Sequence, residues 1–235
     1  MTSTSNLPQD LQRQTSVSWE TTTNKFSDIW SGSKKRPDLS IEVRNASRRL
    51  ELKWVVEVGL SETYDQLVED AQLWLEGHPT VAMVVLIKFC EVPRYRCPVF
   101  DQNPEKLGIP LNLEAIDEAE VTMEGQLGPA TYKGLQWVGK ISEVFMEIWV
   151  KDGDGRAVRQ GNREDLLQVG QFQLSFGNIL PPGYPQMITL PLDHFHVLLE
   201  EKIQELAAHR CREMVAAWLK RLGDGQSDRD YQPSE

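Results

Sequence analysis

The residues of this sequence best placed to do chemistry are two acids, Asp38 and Glu57, which lie in consecutive stretches of alternating apolar residues at 36–43 and 53–59. Side chains alternate between the two faces of a strand, so the two carboxylates can share a face if the register between the strands allows it. Two carboxylates that converge on one face can hold a hard divalent cation. The alternative is that both acids point into water from a half-buried hairpin.

A hairpin and a helix must position these acids. We predict strands at about 37–44 and 50–59, because apolar and polar residues alternate on both sides of a short turn. Apolar residues that recur at i, i+3 and i+4 predict an amphipathic helix over about 62–76. These residues are Tyr64, Leu67, Val68, Ala71, Trp74 and Leu75. Thr63 and Gln66 have the spacing of a capping box at the start of this helix.

A buried strand completes this part of the fold. Residues 81–89 are apolar without alternation, which is typical of a strand buried on both faces. The succession of strand, helix and buried strand predicts a right-handed β-α-β unit. Residues 90–135, with four prolines and an acidic run, look like a long irregular insertion. We predict β structure at 135–151 and short strands at 172–176 and 187–192.

The C-terminal region predicts a long helix over about 193–222 that ends at Gly223. Its approximate apolar stripe consists of Leu199, Ile203, Leu206, Cys211, Met214, Trp218 and Leu222. This stripe can bury against the same domain or pair with a second copy in a homodimer. Residues 1–24 are polar and predict a disordered or loose arm, and residues 223–235 predict a polar tail.

The composition indicates a soluble globular protein, with 40% apolar and 26% charged residues in a chain of 235. We expect a single domain over 25–222, with a core at 34–89, an insertion at 90–135 and a β-rich extension with the C-terminal helix at 136–222. Three cysteines without C-x-x-C spacing favour a reducing compartment. No apolar run is long enough to span a membrane, so we expect an intracellular protein, cytoplasmic or nuclear.

The charge distribution bears on the class of partner. The net charge of −10 counts against general nucleic-acid binding through the whole surface. Residues 34–54, around the acid pair, nevertheless hold seven Lys or Arg residues against three acids. Such a local basic patch suits a phosphodiester substrate. Exposed hairpin turns are also often basic for solubility alone, and both interpretations stay open.

The stretch at 34–89, which contains Lys35-Arg36-Pro37-Asp38 and Val56-Glu57-Val58-Gly59, resembles the PD-(D/E)XK nuclease superfamily. In particular it is similar to an uncharacterised group of fungal proteins placed near that superfamily. The resemblance implies an α/β (α+β) fold with a restriction-endonuclease-like core, in which a central mixed sheet is flanked by helices. It also implies a divalent-metal-dependent nuclease that acts on DNA or RNA, with Mg²⁺ (or Mn²⁺) held by Asp38, Glu57 and the backbone carbonyl of Val58.

The chain departs from the superfamily's pattern at the motif lysine. That lysine should stand two residues after the glutamate, where this chain has Gly59. Lys88, on the predicted neighbouring strand, is the first candidate for the catalytic cation, ahead of Lys35 and Lys53. The superfamily also commonly carries an acid on a helix before the first strand, and the chain offers Glu20 there. A second function class follows, namely a nuclease-like fold without catalysis that acts as a nucleic-acid or protein interaction module.

Overall fold

The described part of the chain, residues 15–19, 22–100, 102–175 and 187–227 of a computed structural model, has a mixed α/β structure. In chain order the strands are β1 (Thr15–Ser18), β2 (Leu39–Arg44), β3 (Leu50–Gly59), β4 (Met83–Val92), β5 (Thr122–Met123), β6 (Ala130–Tyr132), β7 (Leu135–Val138), β8 (Lys140–Lys151), β9 (Ala157–Asp165), β10 (Gln171–Ser175) and β11 (Met187–Pro191). The α-helices are α1 (Tyr64–Gln72) and α2 (Phe195–Ser227). Single 3₁₀ turns are Asp28–Trp30, Pro104–Leu107, Leu113–Ala115 and Glu118–Glu120.

The chain divides into two compact units that alternate along the sequence. The first unit runs through Phe89 and resumes over Glu143–Asp193. The second comprises Cys90–Ser142 and the chain from His194 onward. The predicted mixed sheet and long C-terminal helix are both present, which confirms the mixed α/β class.

The six-stranded sheet has the order β1-β2-β3-β4-β8-β9. Strands β3 and β4 are parallel and are joined through α1, as the β-α-β pattern predicts, whereas β2 pairs with β3 in the antiparallel sense. At the edge, Val17 of β1 lies opposite Ile41 of β2. The prediction of a loose arm is therefore wrong for Thr15–Ser18. An edge strand joins a sheet through backbone hydrogen bonds, so a polar segment in which Thr15 and Val17 alternate with serines can form one.

Helix α1 begins as the sequence predicts. The Thr63 side chain accepts a hydrogen bond from the Gln66 backbone N–H, and the Gln66 side chain accepts one from the Thr63 backbone N–H, so the capping box is confirmed. The predicted helix over 62–76 ends differently, because α1 continues as a π turn over Leu73–Gly77. This turn keeps Trp74 fully buried.

The core of the first unit lies between α1 and the sheet. The buried residues that pack together are Phe26, Val55, Leu67, Ala71, Trp74, Leu75, Val81, Val84 and Leu86. The apolar stripe predicted for α1 supplies four of them, each with 0% exposure. Burying these side chains provides the main stabilisation of this unit, at about 1.5–3 kcal/mol for each large apolar side chain.

The second unit holds α2 against a three-stranded sheet of order β5-β6-β7. Segment 90–135 therefore contains short strands and 3₁₀ turns as well as irregular chain. Helix α2 continues past Gly223 to Ser227, so the predicted end at Gly223 is wrong. Glycine inside a helix costs about 1 kcal/mol relative to alanine, which a long helix tolerates.

The predicted short strands near 172–176 and 187–192 are β10 and β11, which pair in the antiparallel sense. The turn expected between them at 181–183 lies outside the described residues, as do residues 1–14 and 228–235. In the ranges that the structure describes, no helix is long and apolar enough to cross a membrane.

Candidate functional site

Asp38 lies one residue before β2 and is held by the backbone of β3. Its Oδ2 accepts a hydrogen bond from the backbone N–H of Val58 at 2.7 Å. Leu39 lies opposite Val56 in the antiparallel ladder, so continuing the register by one residue brings Asp38 level with Glu57. The two predicted acids therefore come from adjacent chain segments at the same level of the sheet.

Glu57 is the buried member of the pair, with 5% exposure on the face that α1 covers. The indole Nε1–H of Trp74 donates a hydrogen bond to Glu57 Oε1. Burial raises the pKa of the Glu57 carboxyl to about 8. The Lys35 ammonium and the Trp74 N–H oppose this increase, because both stabilise the ionised carboxylate. The negative charges of Asp70 and Asp38 add to the increase. Repulsion from Asp38 thus contributes to the raised pKa, but burial is the main cause.

Lys35 places an ammonium between two carboxylates. Its Nζ lies 3.9 Å from Glu57 Oε1 and 2.5 Å from Asp70 Oδ1. Asp70 lies on α1 four residues before Trp74, so both side chains lie on the same side of the helix. From the sequence alone Lys35 ranks behind Lys88, and Asp70 is not predicted to be a site residue. The four-residue spacing of Asp70 and Trp74 is the sequence signal that could have identified it.

Lys88 lies directly across from Gly59 in the parallel ladder of β3 and β4. Its Nζ donates hydrogen bonds to the backbone carbonyls of Leu60 at 2.9 Å and Phe89 at 2.8 Å, with Gly59 O at 3.4 Å. The residue is 9% exposed. Lys88 therefore stabilises the corner at which β3 turns toward α1.

Gly59 lies where α1 packs tightly against β3. A Cβ at residue 59 would lie 2.7 Å from Cδ1 of Leu67 and 3.0 Å from its Cγ. Leu67 is fully buried, so its side chain has little room to move away. Any larger side chain at position 59 must displace the helix or repack the core.

The donor set of Asp38 and Glu57 fits a hard cation in part. Within the described ranges no group of three or more His, Cys, Asp or Glu residues is placed to hold a metal ion. Mg²⁺ is commonly bound through one or two carboxylates while it keeps several waters. In the part of the chain that the structure describes, Oδ1 of Asp38 and Oε2 of Glu57 make no hydrogen bond or ion pair. Each acid therefore offers one oxygen.

A second charged cluster, centred on Glu147 of β8, was not anticipated from the sequence. Glu147 is 1% exposed and receives hydrogen bonds from the Tyr64 hydroxyl, the Trp149 indole and the side chains of Arg159 and Arg163. Burial alone would raise the pKa of Glu147, but these donors lower it. The carboxylate is fully paired, so the cluster is a structural link between α1, β8 and β9.

Comparisons of the chain with protein-family models, with curated proteins and with solved structures give no match. No relative therefore assigns a role to Asp38, Glu57 or the residues around them.

Proposed function

We propose that this protein is a divalent-metal-dependent nuclease that hydrolyses phosphodiester bonds in DNA or RNA. The observation that carries the proposal is the hydrogen bond from Val58 N–H to Asp38, which sets one carboxylate beside the strand that bears Glu57. Asp38, Glu57 and the carbonyl of Val58 would hold Mg²⁺ or Mn²⁺. The basic residues at 34–54 provide local attraction for a polyanion on a chain whose net charge is −10.

The reaction needs a water, a leaving oxygen and stabilisation of negative charge. The water oxygen forms a bond to phosphorus and loses a proton, while the bond from phosphorus to the leaving sugar oxygen breaks and that oxygen gains a proton. A bound divalent cation supplies charge neutralisation and acidifies water. The contribution of the chain is to hold the two carboxylates at a fixed separation, through the Val58 N–H and the Trp74 indole.

A non-catalytic interaction module is the second candidate function. The observation that favours it is the ion pair of Lys35 with Glu57 and Asp70. This contact gives the buried acid a positive partner without any metal ion. In that case the nuclease-like architecture would present the basic segment at 34–54 to a nucleic acid or to another protein.

A homodimer through α2 stays a prediction. Within the second unit α2 buries Leu199, Ile203, Ala207, Ala208, Cys211, Met214 and Val215. It also leaves Val197, Leu198, Leu219 and Leu222 exposed at its two ends. Light scattering over a concentration series measures the oligomeric state directly.

Calorimetric titration with Mg²⁺ and Mn²⁺ separates the two functions. The parent protein should bind the metal at pH 8.5, above the raised pKa of Glu57, and Asp38→Ala should lose most of that binding. Asp154→Ala, which removes an exposed acid from the turn between β8 and β9, should bind like the parent. The metal-binding protein should then cleave DNA or RNA. A parent that binds no metal supports the interaction module instead.

A further inference from the structure

We infer that Lys35 supplies the positive charge at the scissile phosphate, in place of the lysine that Gly59 excludes, and that Asp70 positions it. The inference rests on the proposed nuclease function and names a further catalytic residue for it. It replaces Lys88 with Lys35 as the first candidate for this cation.

Each competing position has another explanation in the structure. Position 59 cannot take a long side chain without displacing Leu67. Lys88 donates to the carbonyls of Leu60 and Phe89 and is nearly buried. Lys53 pairs with Glu51 at 2.9 Å and lies on β3 four residues before Glu57, which is about 13 Å along a strand.

Lys35, in contrast, combines a fixed backbone with a long side chain at the site. Its N–H donates to Thr23 O at 3.0 Å and its carbonyl accepts from Thr23 N–H at 2.9 Å, which anchors the residue three positions before Asp38. Its side chain is 23% exposed, whereas that of Glu57 is 6% exposed. The ammonium therefore lies beside the buried acid with access to solvent, from which a phosphodiester would arrive.

Asp70 determines where this ammonium rests. The 2.5 Å contact to Asp70 is much shorter than the 3.9 Å separation from Glu57. An ion pair this close holds a flexible lysine in one place, which reduces the entropy lost when it contacts substrate. Lys35 donates hydrogen bonds to the phosphate oxygens during hydrolysis and is not consumed.

The positive charge of Lys35 should have different effects on the rate of cleavage and on the affinity for Mg²⁺. An ammonium stabilises the negative charge that develops on the phosphate, so removing it should slow cleavage by about 10²–10³-fold. The same ammonium repels a divalent cation bound at Glu57. The ammonium also lowers the pKa of Glu57, so the affinities are compared at a pH well above 8, where this carboxyl is ionised in both proteins. Under that condition, removing Lys35 should leave the Mg²⁺ affinity unchanged or tighter. A lysine with a purely structural role would not separate the two readouts in this way.

The experiment compares Lys35→Ala, Lys133→Ala and Lys88→Ala in the full chain. Cleavage of one labelled oligonucleotide at saturating Mg²⁺, Mg²⁺ affinity by calorimetry and thermal unfolding are measured for each variant. Lys35→Ala should lose cleavage while it keeps the metal. Lys133→Ala is the matched control, because Lys133 is a partly exposed lysine in an ion pair with Glu120 and lies outside the basic segment at 34–54, so this variant should cleave like the parent. Lys88→Ala should unfold at a lower temperature and keep its cleavage once folded.

Asp70→Asn tests the positioning role. It should lower kcat less than Lys35→Ala does and leave the affinity for Mg²⁺ as in the parent. Two results overturn the assignment of Lys35 alone, namely a Lys35→Ala variant that cleaves at the parent rate, or one that loses Mg²⁺ binding together with cleavage. A parent protein that neither binds Mg²⁺ nor cleaves overturns the proposed function and the role of Lys35 with it.

Discussion

The indole N–H of Trp74 donates its hydrogen bond to the carboxylate of Glu57, so one side chain serves both the core and the candidate site. The Trp74 ring also packs against Phe26, with ring centroids 5.3 Å apart. Because the indole is fully buried, any change in core packing at this residue moves the donor that orients Glu57. The stability of the first unit and the geometry of the acid pair are therefore coupled.

Substitution of Trp74 should separate packing from hydrogen bonding. Trp74→Ala should lower the free energy of unfolding by about 3–5 kcal/mol, because it leaves a large cavity. Trp74→Phe keeps much of the apolar volume but removes the N–H, at a cost of about 1–3 kcal/mol for the buried carboxyl oxygen that loses its hydrogen bond. Urea unfolding measures both values. Trp19→Phe is the control, since Trp19 is 64% exposed, and a loss there as large as at Trp74 would contradict the buried contact.

Gly59→Ala tests the close approach of α1 to β3. The added methyl group would meet Leu67 at 2.7 Å, so we expect a loss of about 1–3 kcal/mol in unfolding free energy. Gly153→Ala is the control, because a Cβ there meets no atom within 4 Å. In a double-mutant cycle, Leu67→Ala should make Gly59→Ala much less costly. Additive losses in that cycle would show that Leu67 is not the obstacle.

His78 should make stability fall at acid pH. Burial lowers the pKa of His78 to about 4, with help from the charges of Lys25 and Lys151, while an unfolded chain has its ordinary value of 6.5. Between these values the unfolded state binds a proton that the folded state does not. The contribution of His78 to the free energy of unfolding is present in full above pH 6.5. It is lost as the pH falls through 4, and the loss is about 2–3 kcal/mol in total.

The measurement is the difference in unfolding free energy between the parent and His78→Gln from pH 7 to pH 4. Carboxyl groups that titrate in the same range, including Glu57, affect the unfolding free energy of both proteins equally, so their effect cancels in this difference. His209→Gln is the control, because His209 is exposed on α2. An identical pH dependence in the parent and His78→Gln would show that His78 takes up its proton normally in the folded protein.

Arg210 and Glu91 provide a test in the second unit. Arg210 Nη1 lies 2.7 Å from Glu91 Oε1, and both side chains are less than one-tenth exposed. Arg210→Met should therefore cost about 3–5 kcal/mol, since it leaves a buried carboxylate without its partner. The exposed pair of Lys202 and Glu205 has a contact of 2.6 Å, yet Lys202→Ala should cost less than about 1 kcal/mol. Similar losses in the two variants would show that burial does not decide the strength of these pairs.

The parts of the fold that follow local rules could be predicted from sequence. The stripe that contains Leu67 and Trp74 and the capping box of Thr63 and Gln66 depend on spacing within one segment. The edge strand β1 could not be predicted in this way, because it depends on backbone pairing with a segment more than twenty residues away.

The same distinction applies to the candidate site. The acids Asp38 and Glu57 are visible in two neighbouring strand patterns. The contact of Lys35 with Asp70 joins an irregular segment to a helix, and its selection over Lys88 depends on side-chain packing. The four donors around Glu147 likewise come from three different elements. No periodic pattern in the sequence predicts either of these two arrangements.

The alternation of the two units along the chain has a consequence for synthesis on the ribosome. Strand β4 ends at Val92, but its neighbour β8 begins only at Lys140, after the intervening residues 93–139 have been made. Until β8 emerges, a nascent chain carries an apolar strand with one unpaired edge, the kind of surface that chaperones cover and that promotes aggregation. A stop codon between residues 93 and 139 would leave that edge of β4 permanently unpaired.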